Sequence, residues 1–140
     1  MIYSPSLEII YRGTELSFGQ KMKAARELGF TTYEFWGWEN KDLNEIAELQ
    51  HTLGMKAASF CTKPVGLVDP AKRGTFLEGL EQSVVEANKL GCHFLIVTTG
   101  NALDGVSRER QQESIIEGLR ASVPIVENSG VTLILEPLSA

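Results

Sequence analysis

Cysteine is nearly absent from this chain: there are two in 140 residues, Cys61 and Cys92. Two are too few for a disulfide scaffold, and they are not spaced as C-x-x-C, so neither a stapled secreted module nor a thiolate zinc site is expected. Both lie in apolar runs and read as buried, reduced thiols, so the expected location is cytoplasmic. Histidine is equally scarce. His51 falls late in a helical stretch and His93 opens an apolar run, so no Cys–His nucleophile pair is expected. Positive charge is also short, with 13 Lys and Arg against 18 Asp and Glu, a net −5. That balance argues against binding nucleic acid through its phosphates, which needs a basic patch. No apolar run approaches the roughly 20 residues that cross a bilayer, so no membrane partner is expected. Residues 1–13 lack a basic region followed by an apolar one and do not read as a secretory signal. The phosphate loops G-x-x-x-x-G-K-[ST] and G-x-G-x-x-G and the nucleophile elbow G-x-S-x-G do not occur.

What is present is a repeat. A stretch of helical period ends at glycine, and a short apolar run follows. The glycines are Gly29, Gly54, Gly91 and Gly130, each suited to the left-handed position just past a helix. The apolar runs cover residues 33–36, 56–61, 93–98 and 131–135, and residues 7–11 form another at the start. These five runs read as strands. Four helical stripes lie between them: Phe18, Met22 and Ala25; Leu43, Ile46, Ala47 and Leu53; Leu77, Leu80, Val84 and Ala87; Ile115, Leu119, Val123 and Val126. Ser17 with Gln20 fits a capping box, and Ser107 fits an N-cap. Pro124 falls inside the fourth stripe, where it removes an N–H and predicts a kink.

The expected class is therefore α/β, with parallel βα repeats and strands apolar on both faces. With hydrophobic residues at 43% and charged at 22%, residues 1–140 read as one domain with a real core. Two architectures fit: a doubly wound sheet, or a partial (β/α)8 TIM barrel containing strands one to five and four helices. The chain stops four residues after Glu136 with no helix to cover the last run, which favours the partial barrel.

In both architectures chemistry sits at the C-terminal edge of the strands. The only tryptophans, Trp36 and Trp38, fall there and suit the apolar wall of a small-molecule pocket. Asn101 follows the fourth run, in a Thr99-Gly100-Asn101 turn. Glu34 lies within the second run, facing a polar pocket or paired with Lys56 or Arg12. Glu136 closes the fifth run, where an apolar strand would hold a carboxylate for general-base work or for metal binding.

Two stretches resemble hydroxypyruvate isomerase-like proteins, members of the xylose isomerase-like (β/α)8 sugar isomerases and epimerases. They are Lys23-Ala-Ala-Arg-Glu-Leu-Gly-Phe-Thr-Thr-Tyr-Glu-Phe-Trp and Gly130-Val-Thr-Leu-Ile-Leu-Glu-Pro-Leu. The resemblance spans the whole chain and the N-terminal half of such a protein. It implies a metal-dependent isomerisation or epimerisation of a small sugar or hydroxycarbonyl substrate, by proton transfer through an enediolate. It implies that Glu136 is both acid–base and ligand to a divalent ion of the Mg or Mn type, with the other ligands on strands six to eight. It also marks departures: Ser139 stands where the family often has Asn, and Phe60-Cys61 where some members have His. By this reading the isolated chain is expected to be inactive, and to self-associate or to need a C-terminal half. A non-catalytic half-barrel and a flavodoxin-like binding domain are the alternatives.

Overall fold

The computed structural model describes residues 1–137, so Ser139 lies outside the described residues. Helices and strands alternate: α1 (Leu7–Ile10), α2 (Phe18–Glu27), β1 (Thr32–Phe35), α3 (Leu43–Leu53), β2 (Lys56–Cys61), a 3-10 turn (Pro70–Lys72), α4 (Arg73–Leu90), β3 (Phe94–Thr98), α5 (Arg108–Val126) and β4 (Thr132–Glu136). The strands form one parallel sheet in the order β1-β2-β3-β4. A doubly wound sheet reverses direction at a switch point. Here each strand neighbours its sequence predecessor, which is the order of a partial TIM barrel.

Residues 7–11 are not a strand. The Ser6 carbonyl accepts from the N–H groups of Ile9 and Ile10, both at 3.1 Å, and the chain turns into α1. A short apolar run cannot by its pattern distinguish a strand from a helical turn. The edge position beside β1 is held by the residues just before it. The Glu34 N–H donates to the Pro5 carbonyl at 2.9 Å, the Thr32 hydroxyl donates to the Tyr3 carbonyl, and Ser6 bridges Glu34 in parallel. Pro5 has no N–H of its own, so it suits an edge.

One face of the sheet carries the core. Tyr33, Phe35, Phe60, Leu95 and Val97 are fully buried against Met22, Ala25, Leu80 and Ala87 from the helices. The Phe35 and Phe60 rings stack 4.8 Å apart, and Phe18 meets Phe35 edge-on at 5.4 Å. Each such ring contributes about 1.5–3 kcal/mol by burial alone. The Tyr33 hydroxyl donates to the Gln50 side-chain oxygen at 3.1 Å, and the Gln50 amide donates to the Leu90 carbonyl at 3.0 Å. That relay ties β1 and α3 to the end of α4. Both halves of the Ser17–Gln20 capping box form, and Ser107 caps α5.

The other face is not uniformly apolar, contrary to expectation. Phe94, Ile96 and Ile134 share it with Glu34, Ser59, Cys61, Thr98 and Glu136, as the pairings show, and the polar members gather toward the C-terminal edge. Val123 is half exposed, so the fourth stripe also differs. Ile115, Leu119 and Val126 do pack half-buried against the core, while the buried positions of α5 are Ser114, Gly118 and Ser122. Leu67 fills that groove: a Cβ on Gly118 would sit 2.7 Å from Leu67 Cδ2, and the Ser114 hydroxyl donates to the Leu67 carbonyl at 2.7 Å. Among the described residues no helix is long and apolar enough to cross a membrane.

Candidate functional site

Four connections meet at the C-terminal edge: α1, the β1–α3 loop, the β2–α4 loop and the β3–α5 loop. Between the first three and the ends of β2 and β3 lies a cavity of about 500 Å³. Its walls include Glu8, Trp36, Asn40, Lys41, Cys61 and Thr98. A larger recess of about 780 Å³ lies at the opposite edge, around Gln50, His51 and His93. Its floor is made by helix ends and strand starts, away from where parallel sheets place chemistry. His93 accordingly meets the Gly130 carbonyl through Nδ1 at 3.1 Å.

The sequence candidates separate on the structure. Trp36 is 44% exposed and forms part of the cavity wall. Trp38 turns away from it. Its indole N–H donates to the Ser83 hydroxyl at 3.0 Å, and the Lys63 ammonium lies 5.4 Å above its ring while pairing with Glu39 at 3.2 Å. Glu34 accepts from the Ser59 hydroxyl at 2.9 Å, so its partner is a neighbouring strand's serine rather than Lys56 or Arg12. Asn101 is exposed and lines an adjoining recess of about 810 Å³ with Arg108, Gln112 and Pro137. Glu136 is exposed at the end of β4, in register with Thr98. Residues paired in register in a parallel sheet point to the same face, so Glu136 joins Thr98 on the cavity side.

Cys61 sits in the middle of this face. Its thiol is pushed up to about 11, first by burial, then by the carboxylates of Glu136, Glu34 and Glu8, with Lys41 opposing. All three carboxylates lie within electrostatic reach of the thiol, and a deprotonated sulfur there is disfavoured. The thiol is therefore a neutral wall group at physiological pH and not a nucleophile.

Two members of the site were not among the sequence candidates. Lys41 follows Asn40 and precedes the helix cap Asp42, where a lysine reads as surface charge. Its side chain is only 9% exposed, and its ammonium lies 2.9 Å from Glu8 Oε1. Glu8 lies inside residues 7–11, whose apolar pattern reads as a strand.

The walls of the mouth are clamped together. The Val68 N–H donates to the Thr99 carbonyl at 3.0 Å, and Gly66 lies directly against Gly100. These contacts join the β2–α4 and β3–α5 loops and hold Thr98 and Asn101 on their respective sides.

A divalent ion of the magnesium type takes about six oxygen ligands in near-octahedral geometry. Glu136 offers a carboxylate of the right chemistry. Among the described residues, however, no group of three or more His, Cys, Asp or Glu side chains comes together to hold a metal. The described residues alone do not fit such an ion.

With the fold and the edge defined, the comparisons place the chain. The family described as Xylose isomerase-like TIM barrel matches residues 22–140, and the chain belongs to it. It is similar to a putative hydroxypyruvate isomerase of Danio rerio, at 25% identity over 91% of this chain and 51% of that protein. It is likewise similar to 2-oxo-tetronate isomerase of Pectobacterium atrosepticum, at 23% identity over 99% of this chain and 55% of that protein. The chain thus spans about half the length of the curated relatives it matches. Among solved structures, AP endonuclease, family 2, from Brucella melitensis superposes with a TM-score of 0.87 at 22% identity, covering 99% of this chain and 55% of that one. A xylose isomerase-like TIM barrel protein from Mycobacterium smegmatis, in complex with magnesium, gives 0.70 at 15% identity, covering 96% and 54%. These structural likenesses bear on the fold.

Proposed function

We propose that this chain forms the N-terminal half of an isomerase or epimerase acting on a small sugar or hydroxycarbonyl compound, with Glu136 as its acid–base carboxylate. The observation that carries the reading is the position of Glu136. It ends an apolar strand at the C-terminal edge, on the same face as Thr98 and Cys61, in a family whose curated relatives are named as isomerases of hydroxypyruvate and 2-oxo-tetronate.

The chemistry follows from elementary acid–base arguments. Moved by proton transfer, a carbonyl shifts to the adjacent carbon when a proton leaves that carbon, one returns to the former carbonyl carbon, and the hydroxyl proton passes to the former carbonyl oxygen. Glu136 takes the proton from the adjacent carbon, and its charge as a carboxylate makes it the base before the step and the acid after it. Trp36 supplies an apolar wall for the carbon skeleton, and the polar groups of Asn40 and Thr98 face the hydroxyls. The reading requires a second acid–base group and any further metal ligands to lie outside the described residues, so no step is assigned to an ion.

The test is proton exchange. A protein of full family length built on this chain, incubated with hydroxypyruvate in D2O, incorporates deuterium at the carbon beside the carbonyl, as followed by proton NMR. Glu136→Gln abolishes the incorporation above the buffer rate. Equal incorporation by the variant overturns the assignment.

A further inference from the structure

The β1–α3 loop that carries Trp36 has little regular structure of its own, yet one buried side chain organises it. Lys41 folds back beneath the loop. Its ammonium donates to the Gly37 carbonyl, the peptide group directly after Trp36's own, and to Asn40 Oδ1 at 3.3 Å. Its third contact is Glu8 Oε1 at 2.9 Å, from α1 on the other side of the cavity. The same ammonium lies 5.2 Å from the Phe18 ring centroid and 5.4 Å from that of Phe35. The ammonium thus hydrogen-bonds two oxygens of its own loop and is ion-paired with the carboxylate of α1. Glu8 is itself only 16% exposed in its side chain.

A buried pair of this kind is a poor source of net stability, because desolvating two charges offsets their attraction. Apolar residues of similar volume would contribute as much stability or more. What the pair supplies is position: an ion-paired ammonium links α1 to the carbonyl behind Trp36.

We propose that Glu8 and Lys41 are positioning residues that set the place of the Trp36 wall, and with it the fit of the cavity to its ligand. The second clause rests on the reading of this cavity as the substrate's end of the sheet; the first does not.

The two clauses are tested separately, the first on the chain itself. The two tryptophan indole N–H signals are resolved by 15N NMR and assigned with Trp38→Phe. Without ligand, Lys41→Met and Glu8→Gln each shift the Trp36 signal, and the double variant shifts it no further than the larger single change, as two parts of one tie require. Phe60 and Val97 backbone signals stay in place. If a single variant leaves one charge buried and fails to fold, the double variant, which removes both charges, carries the measurement. A Trp36 signal that stays put in the folded double variant overturns the positioning role. Titration with hydroxypyruvate then addresses the cavity, in a protein of full family length built on this chain. A Trp36 response in the parent protein that needs about tenfold more hydroxypyruvate in the double variant supports the second clause. A parent response of unchanged midpoint in the variant overturns that clause, and no parent response overturns the functional reading of the cavity while leaving the ligand-free result intact.

Discussion

Gly66 and Gly100 meet backbone to backbone: a Cβ built on Gly100 would lie 2.7 Å from the Gly66 Cα, and Gly100 has φ of +86°. No flexible side chain is available to yield, and the left-handed conformation adds its own strain for any other residue. Gly100→Ala is expected to cost at least about 2 kcal/mol of stability. Gly74, in the first turn of α4, has nothing within 4 Å of its would-be Cβ. Gly74→Ala is expected to raise stability by up to about 1 kcal/mol. Denaturant melts of the two variants check both signs, and a Gly100→Ala protein as stable as the parent would show that the loops are not clamped there.

The field around Cys61 predicts slow alkylation. With its thiol at about 11, iodoacetamide labelling at Cys61, read by peptide mass spectrometry, should rise with pH toward that value rather than toward the ordinary thiol value near 8.5. Glu136→Gln removes one of the raising charges and should lower the midpoint. The linkage to folding has a fixed sign. The unfolded thiol releases its proton first as pH rises, so this group's contribution is fully present below about 8.5 and is lost between there and 11.

Glu136→Gln should leave the fold nearly untouched, because the side chain is exposed and among the described residues it makes no side-chain hydrogen bond or ion pair. In a catalytically competent protein it should remove turnover. Activity retained within about tenfold, roughly 1.4 kcal/mol of barrier, would falsify the catalytic role, and a large drop in melting temperature would point to a structural one.

The open face of the sheet predicts association. Phe94 is 45% and Ile134 43% exposed, and they are adjacent through the Phe94–Thr132 and Ile96–Ile134 pairings. Contiguous apolar surface of this kind is uncommon on soluble monomers. The chain is expected to sediment above its 15.4 kDa monomer mass at micromolar concentration. Phe94→Lys with Ile134→Lys should return it toward the monomer. A parent chain that is monomeric under those conditions contradicts the expectation.

Much of this fold could be read directly from residue patterns. The run at residues 56–61 coincides with β2, and the other three later strands differ from their runs by one residue at one or both ends. Gly54 and Gly91 do end helices in the left-handed conformation, because that backbone demand is local and leaves a local mark. What pattern could not convey was tertiary. Leu7 is buried and Ile9 exposed in a four-residue helix, a span too short for periodicity to declare itself. Trp38 turned toward Ser83 because a hydrogen-bond partner 45 residues away waited there. Lys41 carries no mark of burial until α1 brings Glu8 beside it. The apolar stripe of α5 is met by Ile115, Leu119 and Val126, which pack half-buried against the core, and not by Val123; the deepest positions go to Ser114, Gly118 and Ser122, where Leu67 from a distant loop leaves room only for small residues.

The register between β1 and β2 holds one further consequence. Tyr33 pairs with Ala57, but Glu34 pairs with Ser59, so Ala58 is a supernumerary residue in β2. Strict alternation counted from Ala57 would have sent Ser59 into the aromatic core and Phe60 into the cavity. The spare residue resets the parity, so the polar and aromatic halves of the strand each reach their proper side. The strand is therefore asymmetric toward change in length. Losing Ala58 would straighten β2 and leave every side chain facing as it does now, whereas gaining a residue without a second bulge would exchange Cys61 for its neighbour and turn the cavity wall inside out.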